Sequence, residues 1–175
     1  MRFMPLALPD VVLVQVERRE DPRGHFARTF CAAEFAAEGL PAGFPQCNVS
    51  FNARRGTLRG LHWQDDPAPE GKLVRCTRGV AFDVAVDIRP GSATRRRWVA
   101  ATLSADNADA LYIPPGFAHG FQALEDGTEI FYQMTASYRG DLARGVRWDD
   151  PAIGIAWPLP HPILSERDAQ LPLLA

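Results

Sequence analysis

A short stretch of this chain concentrates residues that could carry out proton chemistry. The segment Arg59-Gly-Leu-His-Trp-Gln64 is followed closely by Gly71-Lys72. Lys72 is the only lysine among the 19 Lys and Arg residues of the chain. An ammonium is a compact point donor that suits an oxyanion or a proton relay, whereas a guanidinium is a broad, planar fork. The single lysine therefore indicates a position where an arginine would not serve.

Two histidines are candidates for acid–base or metal chemistry. His62 lies in a strand-like segment, and His119 follows a Pro-Pro-Gly turn. A metal site built around His62 needs further ligands close by, but position 64 is Gln and Glu70 is the nearest plausible carboxylate, so we expect no metal. Without a metal, His62 is a candidate general base because imidazole titrates near neutral pH. Three carboxylates are candidates for its orienting partner: Asp83, Asp87 and Asp168.

Other polar side chains could bind or protonate a substrate. Tyr132 could donate a proton to a carbanion or enolate, although packing with a bonded hydroxyl is the ordinary role of a strand tyrosine. Arg23 and Phe26 share a turn and could clamp a phosphate and stack on a base. Three hydrogen-bonding side chains alternate along a predicted strand, so they share one face that could read the edge of a pyrimidine: Gln46, Asn48 and Ser50.

These residues must be held mainly by strands, because short strand-like runs separated by turns dominate the chain. Within 80–88 the apolar Phe82, Val84, Val86 and Ile88 share one face, and two aspartates lie on the other. The one predicted helix spans 32–38 and is closed by Gly39. The predicted strands span 11–17, 26–30, 47–52, 72–78, 80–88, 98–103, 110–113 and 129–135. This pattern predicts an all-β fold, an antiparallel sandwich or barrel, and a jelly roll is the natural match in size.

Length, charge and cysteine content restrict the class of protein. We expect 175 residues to form one domain, with a core over about 10–140 and a wrapping C-terminal segment over about 141–175. A net charge of −2, without basic runs interleaved with aromatics, argues against nucleic-acid binding. The apolar runs are too short to span a membrane. Three cysteines without metal or redox spacing are interpreted as small buried residues of a cytoplasmic protein: Cys31, Cys47 and Cys76.

Taken together, the motifs of the chain resemble the dTDP-4-dehydrorhamnose 3,5-epimerase family of deoxysugar biosynthesis. The resemblance runs in order from about residue 10 to the C-terminus. The matching segments are Asp21-x-Arg-Gly-x-Phe26, Gln46-x-Asn-x-Ser50, Leu58–Gln64, Gly71–Arg75, Phe82–Arg89, Ile113–Phe121, Arg147–Pro158 and Ile163–Asp168. The resemblance implies a cupin-type jelly roll, a homodimer, no cofactor and a dTDP-4-keto-6-deoxyhexose substrate.

The resemblance also implies roles for residues that match. His62 would be the base with Asp168 as its partner, Lys72 would donate to the C4 oxygen, and Tyr132 would be the acid on the opposite face. The residues implied to contact the diphosphate or sugar are Arg59, His119 and Tyr138. The residues implied to face the nucleotide base are Gln46, Asn48 and Ser50, with Arg23 and Phe26 reaching across from a second subunit.

Departures from the family pattern leave the substrate outcome open. Gln133 and Met134 follow Tyr132 where many members have Lys-Thr, Ala143 stands where Glu is frequent, and Trp63 replaces Tyr or Phe. The alternatives are a mono-epimerase acting at C3 or C5 alone, a non-catalytic sugar-nucleotide binding module, and a metal-dependent oxygenase or isomerase. An opposed acid and base argue against mere binding, and Gln at position 64 argues against a metal.

Overall fold

The computed structural model describes residues 1–174, and over them the chain forms thirteen strands and two short helices. The strands are β1 Arg2–Pro5, β2 Val12–Gln15, β3 Arg18–Asp21, β4 Gly24–Ala27, β5 Gln46–Asn52, β6 Leu58–Gln64, β7 Lys72–Arg78, β8 Val80–Asp87, β9 Trp98–Ser104, β10 Ala110–Ile113, β11 Phe117–Ala123, β12 Thr128–Met134 and β13 Ala143–Gly145. The helices are α1 Ala32–Ala37 and α2 Glu166–Ala169.

The strands build two antiparallel sheets and a separate hairpin. One sheet has six strands in the order β1-β2-β10-β7-β12-β5, and the other has five in the order β13-β6-β11-β8-β9. Within the described part of the chain, strands β3 and β4 pair only with each other. The two sheets face each other across a shared apolar core, so the predicted all-β jelly roll is confirmed.

Three apolar layers hold the sheets in place. Between the sheets, Val74 and Leu111 pack with Phe117 and other buried side chains. Helix α1 covers the outer face of the six-stranded sheet through the fully buried Phe35. The C-terminal segment covers the outer face of the five-stranded sheet, where Ile153 joins that apolar cluster. Each sheet is thus buried on both faces over much of its area, which fixes which side chains point inward.

Strand β8 shows the predicted alternation, with both faces buried. Val84 and Val86 pack beneath the C-terminal segment, whereas Ala85 belongs to the core between the sheets. Asp83 and Asp87 lie on the Ala85 face and are fully buried. Burial alone would raise the pKa of Asp87, but hydrogen bonds from neighbouring side chains outweigh it and hold that pKa far below its ordinary value. Those donors are Arg89, Thr94 and Ser92.

Some local predictions were wrong, and the predicted helix at 32–38 ends one residue earlier, at Ala37. The predicted strand at 26–30 is instead β4, which ends at Ala27, because Phe30 turns away to pack against Phe35 and Phe44. Of the three cysteines predicted to be buried, only Cys76 is; Cys31 is half-buried, and Cys47 is exposed because it lies on the outward face of the edge strand β5. The bounds predicted for β7 and β10 are confirmed. Among residues 1–174, no helix is both long and apolar enough to cross a membrane.

Candidate active site

Two adjoining cavities of about 180 and 300 Å³ form a cleft between the two sheets. His62, Lys72, Tyr132 and Arg167 line both cavities. His62 comes from β6 of the five-stranded sheet, and Tyr132 comes from β12 of the six-stranded sheet. Tyr132 packs against the core between the sheets, so its side chain points inward. The predicted base and the predicted acid therefore lie on opposite walls of one cleft.

The His62 imidazole is oriented by Asp168. Its Nε2 atom lies 2.7 Å from Asp168 Oδ1, and the second carboxylate oxygen accepts the amide of Gly60 at 3.3 Å. The Ser165 hydroxyl caps α2 by accepting the Asp168 amide, which fixes the start of that helix. Because an ionised carboxylate accepts only, His62 donates through Nε2, and its Nδ1 lone pair is left to act as the base.

Asp168 is held in its ionised form. Burial alone would raise its pKa, but the hydrogen bond and charge of His62 act the other way, as do the Gly60 amide and Arg167. Together they lower the pKa of Asp168 below its ordinary value. The carboxylate is therefore negative across the neutral range, where it can stabilise the imidazolium that forms when His62 takes a proton.

Two glycines allow the strands that carry the histidines to approach closely. A Cβ on Gly60, whose φ is +129°, would lie 2.6 Å from the Cα of Gly120. A Cβ on Gly120 would in turn lie 2.9 Å from the carbonyl oxygen of Arg59. His119 is the cross-strand partner of His62, and the register shifts between His119 and Phe121. The glycine at position 60 of the Leu58–Gln64 motif is therefore required sterically, because a side chain there would push β6 and β11 apart.

The Lys72 side chain lines both cavities, and two contacts hold its ammonium group in place. Its Nζ donates to the backbone oxygen of His62 at 3.2 Å and lies 3.1 Å from Glu70 Oε1. The side chains of Lys72 and Glu70 are each 8% exposed. An ammonium has three donors, so Lys72 can still donate to a ligand after its hydrogen bond to His62 and its ion pair with Glu70.

Tyr132 keeps its proton in this setting. Burial is the main cause that raises the pKa of Tyr132, and the charge of Glu70 adds to it, whereas Arg59 opposes it. A phenol whose pKa is raised is protonated throughout the neutral range, so Tyr132 can act as an acid.

One face of β5 supplies a polar wall, as predicted. Gln46, Asn48 and Ser50 alternate with exposed residues and line the two cavities. Gln46 Nε2 donates to Asn48 Oδ1 at 3.4 Å, and Gln46 Oε1 accepts the backbone amide of Tyr138 at 2.9 Å. Tyr138 is largely exposed at the mouth of the cleft. The hydrogen bond between Tyr138 and Gln46 thus connects β5 to the loop that follows β12.

Arg59 and His119 place positive or protonatable groups in the second cavity. Arg59 Nε donates to Asn52 Oδ1 at 2.8 Å, which holds the guanidinium against β5. His119 Nε2 lies 3.0 and 3.1 Å from the two oxygens of Asp83. Asp83 is therefore the partner of His119, and Asp168 is the partner of His62. Both groups suit the binding of an anionic ligand such as a diphosphate.

Arg23 and Phe26 are the two predicted site residues that the structure does not bring to the cleft. Both belong to the β3–β4 hairpin, where Phe26 is 66% exposed. The Arg23 guanidinium pairs with Asp21 at 2.6 Å on the surface. Within one chain these residues contact neither His62 nor Tyr132 through any hydrogen bond or ion pair that the described residues form.

Seven residues that sequence reasoning did not place in the site line the first cavity: Trp63, Gln64, Glu70, Met134, Ala143, Arg144 and Arg167. Two of them could have been predicted from the sequence. Glu70 is two residues before Lys72, a spacing that puts both side chains on one face of an extended chain. Arg167 directly precedes Asp168 in the tail motif. Among residues 1–174, no cluster of three or more His, Cys, Asp or Glu side chains has metal-binding geometry.

The fold and the cleft together place the predicted base and the predicted acid on opposite walls of a jelly roll, an arrangement that suits an isomerase. Residues 5–175 match the family model described as dTDP-4-dehydrorhamnose 3,5-epimerase. The chain belongs to this family.

Relatives and solved structures agree with that assignment. The dTDP-4-dehydrorhamnose 3,5-epimerase of Sinorhizobium fredii is 47% identical over 99% of this chain and 90% of its own length. A crystal structure of the Bacillus anthracis 3,5-epimerase with TDP and pyrophosphate bound superposes with a TM-score of 0.96, at 38% identity over 99% of each chain. A Streptomyces niveus protein named dTDP-4-dehydrorhamnose 3-epimerase is 39% identical over 100% of this chain and 84% of its own length.

Proposed function

We propose that this protein epimerises a dTDP-4-keto-6-deoxyhexose at C3 and C5. The observation that carries the proposal is the placement of the His62–Asp168 pair and Tyr132 on opposite walls of one cleft. Inversion of a carbon centre requires a proton to leave from one face and another to arrive at the other face. A module that only bound the nucleotide sugar would need no such opposed pair.

The first step in the proposed reaction is removal of a proton alpha to the C4 ketone. His62 Nδ1 accepts that proton, while Nε2 remains hydrogen-bonded to the ionised Asp168. The electron pair of the broken C–H bond moves into the ring and onto the C4 oxygen, which gives an enolate. The remaining Lys72 donor stabilises this oxygen. One such oxyanion donor is typically worth about 3–4 kcal/mol in a site that excludes water.

The second step is delivery of a proton from the opposite face. Tyr132 donates its phenolic proton to the carbon, the C4 ketone re-forms, and the configuration inverts. The phenolate and the imidazolium then return to their starting states by proton exchange with solvent. The two steps move only protons, so the reaction balances without an oxidant or reductant. We propose that it needs no cofactor.

We propose that both C3 and C5 react, as the family description and the Sinorhizobium fredii relative suggest. The Streptomyces niveus 3-epimerase shows that a relative of similar identity can bear the name of a single-carbon enzyme. Gln133 and Met134 follow the acid directly, and Met134 lines the cleft. A change in packing there would alter which carbon Tyr132 can reach.

We also propose a homodimer in which the β3–β4 hairpin of one subunit completes the site of the other. A two-stranded hairpin is marginally stable by itself, and this one pairs with no other strand within residues 1–174. Phe26 is 66% exposed, and the outward face of β5 carries Val49 and Phe51 at 58% and 51% exposure. These side chains offer apolar area that a second copy would cover, with Arg23 and Phe26 meeting the partner's nucleotide.

The proposed setting is the cytoplasm, where nucleotide sugars are made and thiols stay reduced. Cys31, Cys47 and Cys76 are all free. A net charge of −2 favours no polyanion, so we propose neither a nucleic-acid nor a membrane partner.

Proton NMR of dTDP-4-keto-6-deoxyglucose with the protein in D2O tests the proposed reaction. We expect deuterium at both C3 and C5 with inversion at each. Deuterium at C3 alone would identify a mono-epimerase. Tight binding of dTDP without deuterium at either carbon would overturn the proposal in favour of a binding module.

Mixing two inactive variants tests the shared site. His62→Ala removes the base, and a second variant carrying Arg23→Ala and Phe26→Ala removes the hairpin contacts. In a mixed dimer, one of the two sites combines an intact base with an intact partner hairpin. Random exchange should therefore restore roughly a quarter of wild-type activity. If the mixture stays inactive although mixed dimers form, or if the hairpin variant is fully active as a monomer, the shared site is wrong.

A further inference from the structure

Glu70 is a buried carboxylate with one strong partner. Its Oε1 atom lies 3.1 Å from Lys72 Nζ, and both side chains are 8% exposed. Its other oxygen, Oε2, is buried without a hydrogen-bond partner among residues 1–174. Lys72 is the only residue of the described chain that forms an ion pair with Glu70. A buried carboxylate without any compensating charge is strongly unfavourable, so the position of Glu70 depends on Lys72.

The position of Lys72 depends on Glu70 as well. The Lys72 ammonium is held from two sides, by Glu70 Oε1 and by the backbone oxygen of His62. The hydrogen bond to the His62 oxygen uses one of the three N–H donors, and the ion pair with Glu70 restricts how the ammonium can turn. His62, Tyr132 and Glu70 all line the same cavity as Lys72.

We infer that Glu70 is a positioning residue, which orients the free N–H of Lys72 toward the C4 oxygen of the substrate. The inference rests on the proposed epimerase function. Glu70 acts through Lys72 and does not touch the reacting atoms. A loss of its charge leaves the ammonium with one firm anchor, so the third donor is no longer aimed before the substrate arrives.

A second effect of Glu70 supports its place in the reaction. Burial is the main cause that raises the pKa of Tyr132, and the charge of Glu70 adds to it. Glu70 lines the same cavity as Lys72 and Tyr132, so its charge bears on both groups.

Lys72 is the only lysine in the chain, and this makes the inference directly measurable. Protein labelled with 15N-lysine gives a single side-chain ammonium resonance, and no assignment is needed. We expect slow exchange of its hydrogens with water in the wild type. In Glu70→Gln, which keeps the size of the side chain and removes its charge, we expect a shifted resonance and several-fold faster exchange.

Kinetics of the same variants provide the second measurement. Glu70→Gln should lower kcat on the order of ten- to a hundred-fold while KM changes little, because a misdirected catalytic donor affects the transition state more than binding. Glu70→Asp keeps the charge on a shorter arm and should lie between the wild type and the Gln variant. The control is Glu129→Gln, which makes the same charge change on β12, where the carboxylate contacts Thr77 outside the cleft. It should match the wild type in both measurements.

The two measurements separate the inference from the function on which it rests. An unchanged Lys72 resonance and unchanged kcat in Glu70→Gln would overturn the inference, and if that variant does not fold, the same result in Glu70→Asp would do so. A changed resonance in a protein that exchanges no sugar hydrogens would support the Glu70–Lys72 anchor and overturn the proposed function.

Discussion

The imidazole of His62 and the carboxylate of Asp168 meet at 2.7 Å although 106 residues separate them in the chain. Strand β6 carries the histidine, and the short helix α2 in the C-terminal segment carries the aspartate. The Gly60 amide, two residues before His62, also donates to Asp168. The C-terminal segment thus covers the five-stranded sheet and supplies the group that orients the proposed base.

Asp168→Asn is expected to lower kcat roughly 10³- to 10⁴-fold with little change in KM. An amide can donate to the imidazole and favour the wrong tautomer, and it cannot stabilise the imidazolium. Steady-state kinetics of the variant check this expectation. Asp141→Asn, an exposed change in a surface pair with Arg139, serves as the control and should keep wild-type kcat. Wild-type turnover by the Asp168 variant would remove the carboxylate from the mechanism.

The stability difference between the wild type and Asp168→Asn should depend on pH. The folded-state pKa of Asp168 is lowered, so the unfolded chain binds its proton at higher pH than the folded chain does. The stabilisation is therefore present above the ordinary Asp pKa of about 3.9 and is lost as pH falls through the lower folded value. Urea unfolding midpoints between about pH 6 and pH 3 should converge for the two proteins as acidity increases. A gap that stays constant or widens toward low pH would contradict this sign.

Lys72→Arg should reduce kcat about 10²- to 10³-fold although the positive charge remains. The guanidinium is broad and planar, and the buried space between Glu70 and the His62 carbonyl fits a compact ammonium. Single-turnover rates compared with dTDP affinity separate the chemical step from binding. The reverse change at an exposed position of the same strand, Arg78→Lys, should have no effect. Near-normal turnover by Lys72→Arg would mean that the ammonium serves only as a charge.

The sequence was sufficient to predict the fold class, and the structure brings most of the predicted site residues into one cleft. Alternation in β8 and along Gln46–Ser50 follows from strand geometry, and the structure shows those faces as expected. The partner of His62 could not be chosen from spacing, since Asp83, Asp87 and Asp168 were equally available. Only tertiary packing pairs Asp83 with His119 and Asp87 with Arg89.

The errors have similar physical origins. Phenylalanine is common in strands, but Phe30 packs against Phe35 of α1 and lies outside the sheets. Cys47 was expected to be buried from its residue type, yet it points outward because β5 is an edge strand. Glu70 was considered only as a metal ligand, whereas its partner proved to be the lysine two residues later. Burial on one face of a strand depends on neighbours that lie far away in sequence.

The opposed base and acid are tested most directly by Tyr132→Phe in D2O. The change removes one hydroxyl and leaves the cleft and the His62–Asp168 pair in place. His62 should still remove the proton and return a deuteron to the same face. NMR of the recovered sugar should therefore show deuterium with retained configuration, while inverted product falls steeply. Inversion at the wild-type rate by this variant would contradict the account, because the second proton would then come from a group other than Tyr132.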